Sequence, residues 1–240
     1  MSANIRLDFS DKRALVIGSE KGIGAAVKHQ LLNAGCDVVG TSRTTTDDPS
    51  VLPLDLSNAE SVDAFIQCIE QDFTFDYLIH NAGIILPEPA DMLSADAIKT
   101  VCDVNLISPL KILSAVAGQM KSRKHGKIVG IASIASVVSK PNSVVYSSSK
   151  SGFVGALRSL AVELAEYGIL VNSISPGPTN TEMIERWVSD EKQKEIARTI
   201  PLKRLACVDD IANVVLFLCS DLNTYITAQN IIVDGGFTST

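Results

Sequence analysis

The sequence predicts an α/β fold: a single-domain, Rossmann-type, doubly wound sheet of seven parallel strands with helices on both faces. Short β-rich apolar runs recur along the chain, and helical segments lie between them. The 240 residues are 46% hydrophobic and 20% charged, an ordinary globular composition that allows a large core. Because no internal repeat or low-complexity linker divides the sequence, we predict one domain over residues 1–240.

Seven short apolar runs predict the strands, and the helical segments between them predict crossover connections. The strands are expected near residues 14–17, 38–41, 51–54, 77–80, 127–131, 170–174 and 231–233. Beyond a first helix over 24–34, helices are expected over 94–120, 143–167 and 209–219.

Residues at the helix ends support these assignments. The helix over 24–34 stops at Gly35, as helices stop at a C′ glycine. Ser57 with Glu60 three residues later is typical of a capping box. Pro109 is expected to interrupt the long helix in which it lies, because proline lacks the backbone N–H that a helix uses.

Residues 179–204 form a segment of a different kind. They follow Pro176-Gly177-Pro178 and mix polar and apolar side chains without a strand pattern. Ligands of open α/β sheets bind outside the carboxyl ends of the strands, so this insertion is predicted to be a substrate lid. Two interpretations stay open for Trp187: it closes over the ligand, or it is buried in a small core of the lid.

Charge and cysteine usage exclude several classes of protein. The formal net charge of −6, from 21 basic and 27 acidic residues, argues against nucleic acid as a partner. The polar amino terminus, and the lack of an apolar run as long as a membrane span, favour a cytoplasmic protein with no membrane partner. The cysteines are widely spaced, without a C-x-x-C pair or histidines at ligand spacing, and indicate no metal site and a reducing compartment. They are Cys36, Cys68, Cys102, Cys207 and Cys219.

A glycine-rich loop connects the first strand to the first helix. Its sequence is Gly18-Ser19-Glu20-Lys21-Gly22-Ile23-Gly24. Glycines allow the backbone to approach a pyrophosphate closely, and the helix amino terminus offers free N–H groups to it. A tight turn without a ligand is the alternative, and the strand-turn-helix context favours a dinucleotide.

The end of the second strand indicates which dinucleotide binds. An acidic residue there would bind a free ribose 2′-hydroxyl, whereas arginine would pair with a 2′-phosphate. Here the strand ends in Ser42 and Arg43, with no carboxylate before Asp47, and Lys21 adds a second positive charge. We therefore predict NADP rather than NAD, the alternative being that both cations are solvated surface charges.

The second group of chemical residues is Tyr146 and Lys150 in one predicted helix. Residues four apart lie on the same helix face, so the phenol and the ammonium are neighbours. An adjacent ammonium stabilises phenolate and lowers a tyrosine pKa toward neutrality, which general acid-base catalysis requires. Ser133, at the carboxyl end of the fifth strand, can donate to a substrate carbonyl. Ser136 and Ser139 are alternatives for that role.

Three further motifs are Asn81-Ala82-Gly83 after the fourth strand, Asn105 in the following helix and Pro176-Gly177 after the sixth strand. Together with the glycine loop, Ser133, Tyr146 and Lys150, they resemble the short-chain dehydrogenase/reductase family. The branch that the chain is most similar to is the 3-oxoacyl-acyl-carrier-protein reductases. The resemblance extends to Val233-Asp234-Gly235-Gly236 and so covers essentially the whole chain.

The resemblance implies a role for each matching residue. Tyr146 would be the general acid-base, Lys150 would lower its pKa and hold the nicotinamide ribose, Ser133 would orient the carbonyl, and Asn105 would keep a water in the proton relay. Asp55 and Leu56 would lie at the adenine. The remaining cofactor contacts would be the glycine-loop residues Gly18, Ser19, Lys21, Gly22, Ile23 and Gly24, then Ser42 and Arg43, Asn81, Ala82 and Gly83, and Pro176, Gly177, Thr179 and Thr181.

Three residues depart from the family pattern. Ile17 stands where threonine is usual before the first glycine, which removes a hydroxyl that would fix the loop. Gly130 replaces an asparagine in the fifth strand, and Glu20 places a carboxylate in the phosphate loop.

The predicted function is an NADP-dependent oxidoreductase that transfers hydride between nicotinamide and a carbonyl or alcohol. A catalytically idle relative of the same fold is the alternative, but Ser133, Tyr146 and Lys150 are all present. A sugar-nucleotide epimerase uses the same tyrosine and lysine, but it needs a substrate domain for which 240 residues leave no room.

The sequence leaves the substrate open between an acyl group on a carrier protein and a free ketone or small thioester. Similar carrier-dependent reductases have basic residues beside the active-site mouth, and half of that feature persists as Lys121, Arg123, Lys124 and His125. The other half is replaced by Glu166 and Tyr167. These basic residues alternatively complement a helix dipole.

The sequence also predicts a homotetramer. Ser148, Gly152 and Ala156 form a small-residue stripe on the helix that follows Tyr146, and the family resemblance implies pairing through this helix. The alternative is that the stripe packs on the sheet.

Overall fold

Seven strands build the molecule around one parallel sheet. The computed structural model describes residues 7–44 and 47–239. The strands are β1 (Arg13–Ile17), β2 (Asp37–Ser42), β3 (Val51–Pro53), β4 (Tyr77–His80), β5 (Gly126–Ile131), β6 (Ile169–Pro176) and β7 (Asn230–Val233). Their order is β3-β2-β1-β4-β5-β6-β7, with every neighbouring pair parallel. The predicted seven-stranded doubly wound fold is confirmed.

Helices cover both faces of this sheet. They are α1 (Gly22–Asn33), α2 (Ala59–Asp72), α3 (Ala95–Cys102), α4 (Ser108–Arg123), α5 (Val144–Leu164), α6 (Glu182–Trp187), α7 (Asp190–Thr199) and α8 (Val208–Cys219). On one face α2, α4 and α5 contribute Phe65, Ile112 and Leu157 to the core. On the other face α1 and α8 contribute Leu31 and Val215. Both faces are apolar, which explains why the strand sequences are continuous apolar runs.

The long helical stretch after β4 is irregular before its proline. A π-helical turn, Asp103–Ile107, joins α3 to α4, and Pro109 lies in the first turn of α4. The prediction that the helix is interrupted at Pro109 is therefore wrong, because the irregular turn lies just before this residue, at 103–107. A proline is tolerated in the first turn of a helix, and the wider π turn accommodates the carbonyl of Asn105, four residues earlier.

Among the described residues, this stretch is also the one with the length and composition of a membrane span. Ala95–Arg123 is long and apolar enough to cross a membrane, by length and composition alone. The prediction that no apolar run reaches that length is thus wrong. Half of its most apolar window is buried in the protein, where Leu113, Val116 and Met120 belong to the core. The apolar composition is that of a core helix.

The predicted capping box before α2 is displaced by one residue. Asn58 caps this helix, because its Oδ1 accepts a hydrogen bond from the Ser61 backbone N–H at 3.1 Å. Ser57 instead donates through both its backbone N–H and its hydroxyl to Asp55 Oδ1. In a capping box the Ser57 hydroxyl would accept from a backbone N–H, but here it donates to the Asp55 carboxylate, and such charge-assisted hydrogen bonds are strong.

The predicted lid contains α6 and α7 and stands at the carboxyl edge of the sheet. Across these two helices, which the structure describes completely, no side chain is buried. One isolated bridge, Thr179 to Ala206, closes its base. The insertion is therefore attached at its two ends rather than by a core of its own.

Candidate active site

Hydrogen bonds from two neighbouring strands anchor the glycine loop. The Gly18 N–H donates to Thr41 Oγ1 at 2.9 Å, and Asn81 Nδ2 donates to the Gly18 carbonyl at 2.8 Å. Thr41 supplies the hydroxyl that Ile17 lacks, so the loop is fixed despite that departure. Gly24 allows the tight packing, because a Cβ there would lie 1.9 Å from the Gly18 carbonyl oxygen.

The amino terminus of α1 has the features of an anion site. Lys21 occupies the N-cap position, and its side chain makes no capping hydrogen bond. The first N–H groups of the helix therefore keep their affinity for an anion such as a pyrophosphate. Ile23 packs on the core, and Ser19 is buried behind the loop. The residues present fit a dinucleotide.

Glu20, for which the sequence offers no explanation, is held by neighbouring groups. Its Oε1 accepts a hydrogen bond from the Ser19 hydroxyl at 3.0 Å and lies 3.4 Å from Lys28 Nζ. Lys28 also lies 3.6 Å from Asp48. Lys28 therefore compensates the negative charge that Glu20 brings to the phosphate loop.

The residues predicted to bind the adenosine combine one exposed cation, Arg43, with a buried residue, Leu56. Arg43 is exposed just beyond β2, and Ser42 is the last residue of that strand. Hydrogen bonds from Ser57 lower the pKa of Asp55, and the Arg43 charge lowers it further. Leu56 is buried, and its carbonyl accepts a hydrogen bond from the Ser108 hydroxyl at 2.7 Å. Arg43 and Asp55 are thus close enough to interact electrostatically.

The segment after β4 brings the cofactor loop to the catalytic residues. The backbone N–H groups of Asn81 and Ala82 both donate to the Ile17 carbonyl. A Cβ built on Gly83 would lie 3.1 Å from Lys150 Nζ and 3.2 Å from Asn105 Oδ1. Glycine therefore lets this segment pass close to the lysine.

Ser133 and Tyr146 meet at the carboxyl edge of the sheet. Burial raises the pKa of the Tyr146 phenol, and a hydrogen bond with the Ser133 side chain offsets part of that rise. The predicted lowering of this pKa by Lys150 is not observed. Lys150 Nζ is 6.0 Å from the Tyr146 ring centroid and donates instead to the Ile131 carbonyl at 3.0 Å.

Lys150 and Asn105 complete the group. Burial lowers the pKa of Lys150 to about 8. The Asn105 amide accepts from the Ile84 N–H and donates to the Ile84 carbonyl, both at 2.8 Å, and also donates to the Ser149 hydroxyl. Asn105 therefore joins the segment after β4 to α5. Its predicted role in holding a water stays a prediction.

The two alternative serines have other partners. The Ser136 hydroxyl donates to the Ser133 carbonyl at 2.7 Å and lies 3.1 Å from the Ser175 hydroxyl. The Ser139 hydroxyl is 3.5 Å from that of Ser147 and is exposed. Of the three candidate serines, Ser133 is therefore the one that bonds to the Tyr146 side chain.

The segment after β6 lies against the glycine loop. Pro176 ends β6, and the Gly177 N–H donates to the Val233 carbonyl at 2.9 Å. Thr179 is buried and donates to the Gly177 carbonyl, and a Cβ on Gly22 would lie 3.3 Å from Thr181 Cγ2. Lys21 Nζ forms an ion pair with Glu182 Oε2 at 2.8 Å. The lid thus starts in contact with the phosphate loop.

Comparisons with known proteins agree with this arrangement. A family model described as enoyl-(acyl carrier protein) reductase matches residues 17–238. The chain belongs to the short-chain dehydrogenase/reductase family. It is an NAD(P)-dependent oxidoreductase of that family, as its ordered motifs predict.

Similar proteins match over nearly the full length. The 3-oxoacyl-[acyl-carrier-protein] reductase FabG of Buchnera aphidicola subsp. Schizaphis graminum (strain Sg) is 33% identical over 242 residues, covering 96% of this chain and 98% of that protein. FabG of Escherichia coli (strain K12) is 31% identical over 241 residues, with the same coverage. A solved structure from Beutenbergia cavernae, provisionally described as an NAD(P)-dependent gluconate 5-dehydrogenase with NADP at low occupancy, has a TM-score of 0.93 and 30% identity. That match covers 98% of this chain and 100% of the other.

A cavity of about 340 Å³ lies between the segment after β4 and the lid of this dehydrogenase/reductase. Leu86, Pro87 and Trp187 provide apolar walls, and Glu88 and Asp96 are the charged lining residues in the described part of the chain. Trp187 is 47% exposed, so it is not buried in a core of the lid. The interpretation that Trp187 is buried in a core of the lid is therefore wrong, and the side chain lines the cavity instead.

The basic residues at the end of α4 lie at the opposite edge of the sheet. Arg123 forms an ion pair with Asp76 at 3.1 Å, and Lys121 Nζ lies 4.5 Å from the Tyr167 ring centroid. They precede Gly126, the first residue of β5, whereas Ser133 follows the last. A strand of this length separates them by about 20 Å. Within one subunit these cations complement the α4 carboxyl terminus and are not beside the active-site mouth.

Several residues of the site were not found from the sequence. They are Thr41 and Glu182, which contact the glycine loop from distant positions, and Lys28, which lies further along α1. Only Thr41 gave a signal, as a polar residue in an apolar strand. In the described ranges, 7–44 and 47–239, no group of three His, Cys, Asp or Glu side chains could hold a metal ion.

Proposed function

We propose that this chain is an NADP-dependent carbonyl reductase or alcohol dehydrogenase of the 3-oxoacyl reductase type. The observation that carries the proposal is the convergence of Ser133, Tyr146, Lys150 and Asn105 at one edge of the sheet. A catalytically idle relative would have no need to keep a buried lysine beside a partly buried tyrosine, because burying the lysine costs stability.

The proposed chemistry divides between the chain and its cofactor. When bound, the dinucleotide supplies or accepts the hydride. The Ser133 hydroxyl donates to the substrate carbonyl oxygen, and Tyr146 Oη transfers its proton to that oxygen during reduction. Oxidation reverses this proton transfer. Lys150, charged below its pKa of about 8, lies on the same face and favours the phenolate that remains.

NADP is supported by the cations around the glycine loop. Arg43 is exposed beyond β2, and the uncapped α1 terminus can take the pyrophosphate. The similar structure from Beutenbergia cavernae contains NADP. Lys28 offsets part of the negative charge of Glu20, which weakens the repulsion between this carboxylate and a 2′-phosphate. Asp55, Leu56 and the other cofactor contacts named above remain part of this proposal.

For the substrate we favour a free ketone or a small thioester. The cavity has apolar walls and carboxylates but, among the described residues, no basic lining residue to meet an acidic carrier. The similar FabG proteins are named as carrier-protein reductases, so the same acyl group on a carrier is the second candidate. The lid over 179–204 would close on the substrate.

One assay tests both parts of this proposal. NADPH oxidation is measured against 3-oxoacyl thioesters, keto sugars, cyclic ketones and aldehydes, and turnover of one class is expected. The value of kcat/KM for a 3-oxoacyl group on carrier protein is then compared with that for the same group on a short thiol. A preference above about 100-fold for the carrier, roughly 2.7 kcal/mol, would contradict the free-substrate proposal.

The proposed assembly is a homotetramer in a reducing compartment such as the cytoplasm. Ser148 and Gly152 are exposed and Ala156 is partly buried, which supports a stripe that faces a second subunit rather than the sheet. The five cysteines are free thiols, as expected in reducing conditions. Light scattering at micromolar concentration should give four times the 25.6 kDa chain mass. A monomeric mass would contradict the prediction.

A further inference from the structure

His80 is a buried polar residue that the catalytic scheme above does not use. It ends β4, is 1% exposed, and lies between Ile17 of β1 and Gly130 of β5 in the sheet. Its Nε2 is buried and has no hydrogen-bond partner among the residues that the structure describes. Buried polar atoms without a partner are rare and require an explanation.

The protonation of this ring is defined by its surroundings. The other ring nitrogen bonds to the backbone of His80 itself, so Nε2 carries the lone pair and can accept a hydrogen bond. Burial, and then the charge of Lys150, lower the pKa of His80 to about 3. His80 is therefore neutral at any pH at which the protein would work.

His80 and Lys150 both lie against the ring of Phe153. The His80 ring centroid is 5.4 Å from that of Phe153, and Lys150 Nζ is 5.9 Å from the same centroid. Gly130 lets this ring approach the sheet, because a Cβ there would lie 2.7 Å from Phe153 Cε1. The glycine that departs from the family pattern thus makes room for the phenyl ring that covers His80.

Lys150 has more donors than the chain satisfies. An ammonium group has three N–H donors, and one of them goes to the Ile131 carbonyl. The titratable groups around it are Tyr146 on its own helix and His80 on β4. The polar groups that β5 and the π turn contribute are the Ile131 carbonyl and the Asn105 amide. Of these groups, His80 Nε2 is the acceptor that has no partner among the described residues.

We propose that His80 is a positioning residue for Lys150: its Nε2 accepts a hydrogen bond from the ammonium through one bridging water and stabilises the charged lysine beneath Tyr146. A polar contact beyond direct hydrogen-bond distance in a buried polar site is commonly completed by water. This inference rests on the proposed function only for its catalytic consequence, because the effect on Lys150 is a property of the protein without substrate.

The test measures the pKa of Lys150 directly, by NMR titration of its ¹⁵Nζ resonance in the wild type, His80→Leu and His80→Asn. His80→Leu removes the acceptor and should lower the Lys150 pKa by about one pH unit, a tenfold change in the ammonium equilibrium. His80→Asn restores an acceptor and should recover most of the shift. His29→Leu, at an exposed histidine on α1, should change nothing. An unchanged Lys150 pKa in His80→Leu would overturn the proposal.

A second measurement does not depend on the folding of a His80 variant. The ¹⁵N resonance of His80 Nε2 should show a hydrogen-bonded, unprotonated nitrogen in the wild type and a free one in Lys150→Met. Equal resonances in the two proteins would contradict the proposal.

The kcat–pH profile of His80→Leu should move with the Lys150 pKa. If Tyr146→Phe stays active while the NMR shifts are as expected, the proposed function fails and the role of His80 stands.

Discussion

The catalytic wall and the lid both stand at the carboxyl edge of the sheet but are built in opposite ways. The catalytic wall, comprising Asn105, Ser133, Tyr146 and Lys150, stands on β5, α5 and the π turn, and buried hydrogen bonds hold it. In the lid helices, all of whose residues are described, every side chain is at least partly exposed. Few buried contacts imply low local stability, so the lid can move while the wall stays fixed.

This difference separates reaction chemistry from substrate choice. The wall has a fixed set of groups for proton transfer, whose geometry depends on the core. The lid contributes Trp187 to the cavity, and the residues of its two helices can change at little cost to the core. Substitutions in the wall should therefore alter kcat or stability, and those in the lid should alter KM.

Tyr146→Phe should give the largest effect. It removes one hydroxyl and little volume, so kcat should fall by about 10² to 10⁴-fold, the range for general acid-base catalysis. Cofactor affinity should stay nearly unchanged, whereas Lys150→Ala should reduce both. Steady-state kinetics and fluorescence titration measure the two quantities, with Tyr225→Phe, at a fully exposed tyrosine, as the control. More than about a tenth of wild-type kcat in Tyr146→Phe would refute the assignment.

Leu157→Ala and Trp187→Ala compare the stability of the two regions. Leu157 is fully buried behind the catalytic wall, and its truncation should lower the free energy of unfolding by about 2–5 kcal/mol. Trp187→Ala should change it by less than about 0.5 kcal/mol, because the side chain is half exposed. Urea unfolding measures both, and the KM for substrate should rise only in Trp187→Ala. Equal losses of stability would contradict the contrast between wall and lid.

Arg43→Ala tests the cofactor end. Charge-assisted pairing with a 2′-phosphate is worth about 1.5 to 3 kcal/mol, so wild type should prefer NADPH to NADH by roughly tenfold to a hundredfold. The variant should lose most of this preference by weakening NADPH. Arg158→Ala, at an exposed arginine on α5, is the control. Equal dissociation constants for the two cofactors in the wild type would remove the argument.

Acid should destabilise the protein through His80. The native pKa of about 3 lies below the ordinary value of 6.5, so between these values the unfolded chain binds a proton that the native chain does not. The free energy of unfolding should then rise with pH across this window, by up to about 1.4 kcal/mol per pH unit. Urea midpoints at pH 4, 5 and 6 should show a shallower slope for His80→Asn. An identical slope would mean that His80 is not buried in its neutral form.

Glu182→Gln should have the smallest effect. The Lys21–Glu182 pair is exposed, and such pairs contribute less than about 1 kcal/mol and weaken with salt. Cofactor affinity should improve slightly at low salt, since Lys21 becomes available to phosphate. Glu195→Gln, which breaks the Lys192 pair within α7, should leave affinity unchanged. A large loss of affinity in Glu182→Gln would assign the pair a greater role in joining lid and loop.

Local patterns predicted most of the fold and the catalytic residues. Apolar runs predicted all seven strands, and spacing of four residues predicted that Tyr146 and Lys150 share a helix. The misassignments at Ser57 and Pro109 have one cause. Each depends on which of two competing partners a backbone group takes, Asp55 or a helix N–H in one case and a π or an α turn in the other.

What the sequence could not predict are contacts between distant segments. Thr41 binds Gly18 across neighbouring strands, and Lys28 neutralises Glu20 from the next helix turns. Whether the basic residues at the end of α4 lie near the active site depends on the edge of the sheet at which β5 begins. His80 appeared as an ordinary strand residue until its pairing with Gly130 and its distance from Phe153 were known.

The short strand β3 has a consequence for handling the protein at high concentration. It is an edge strand of three residues, and its last residue, Pro53, has no backbone N–H to offer another chain. Unprotected sheet edges are templates along which proteins aggregate. This edge is too short and too poor in donors to serve as one, so aggregation during refolding should start elsewhere. Replacing Pro53 by valine would restore a donor and should increase light scattering of concentrated, partly unfolded samples.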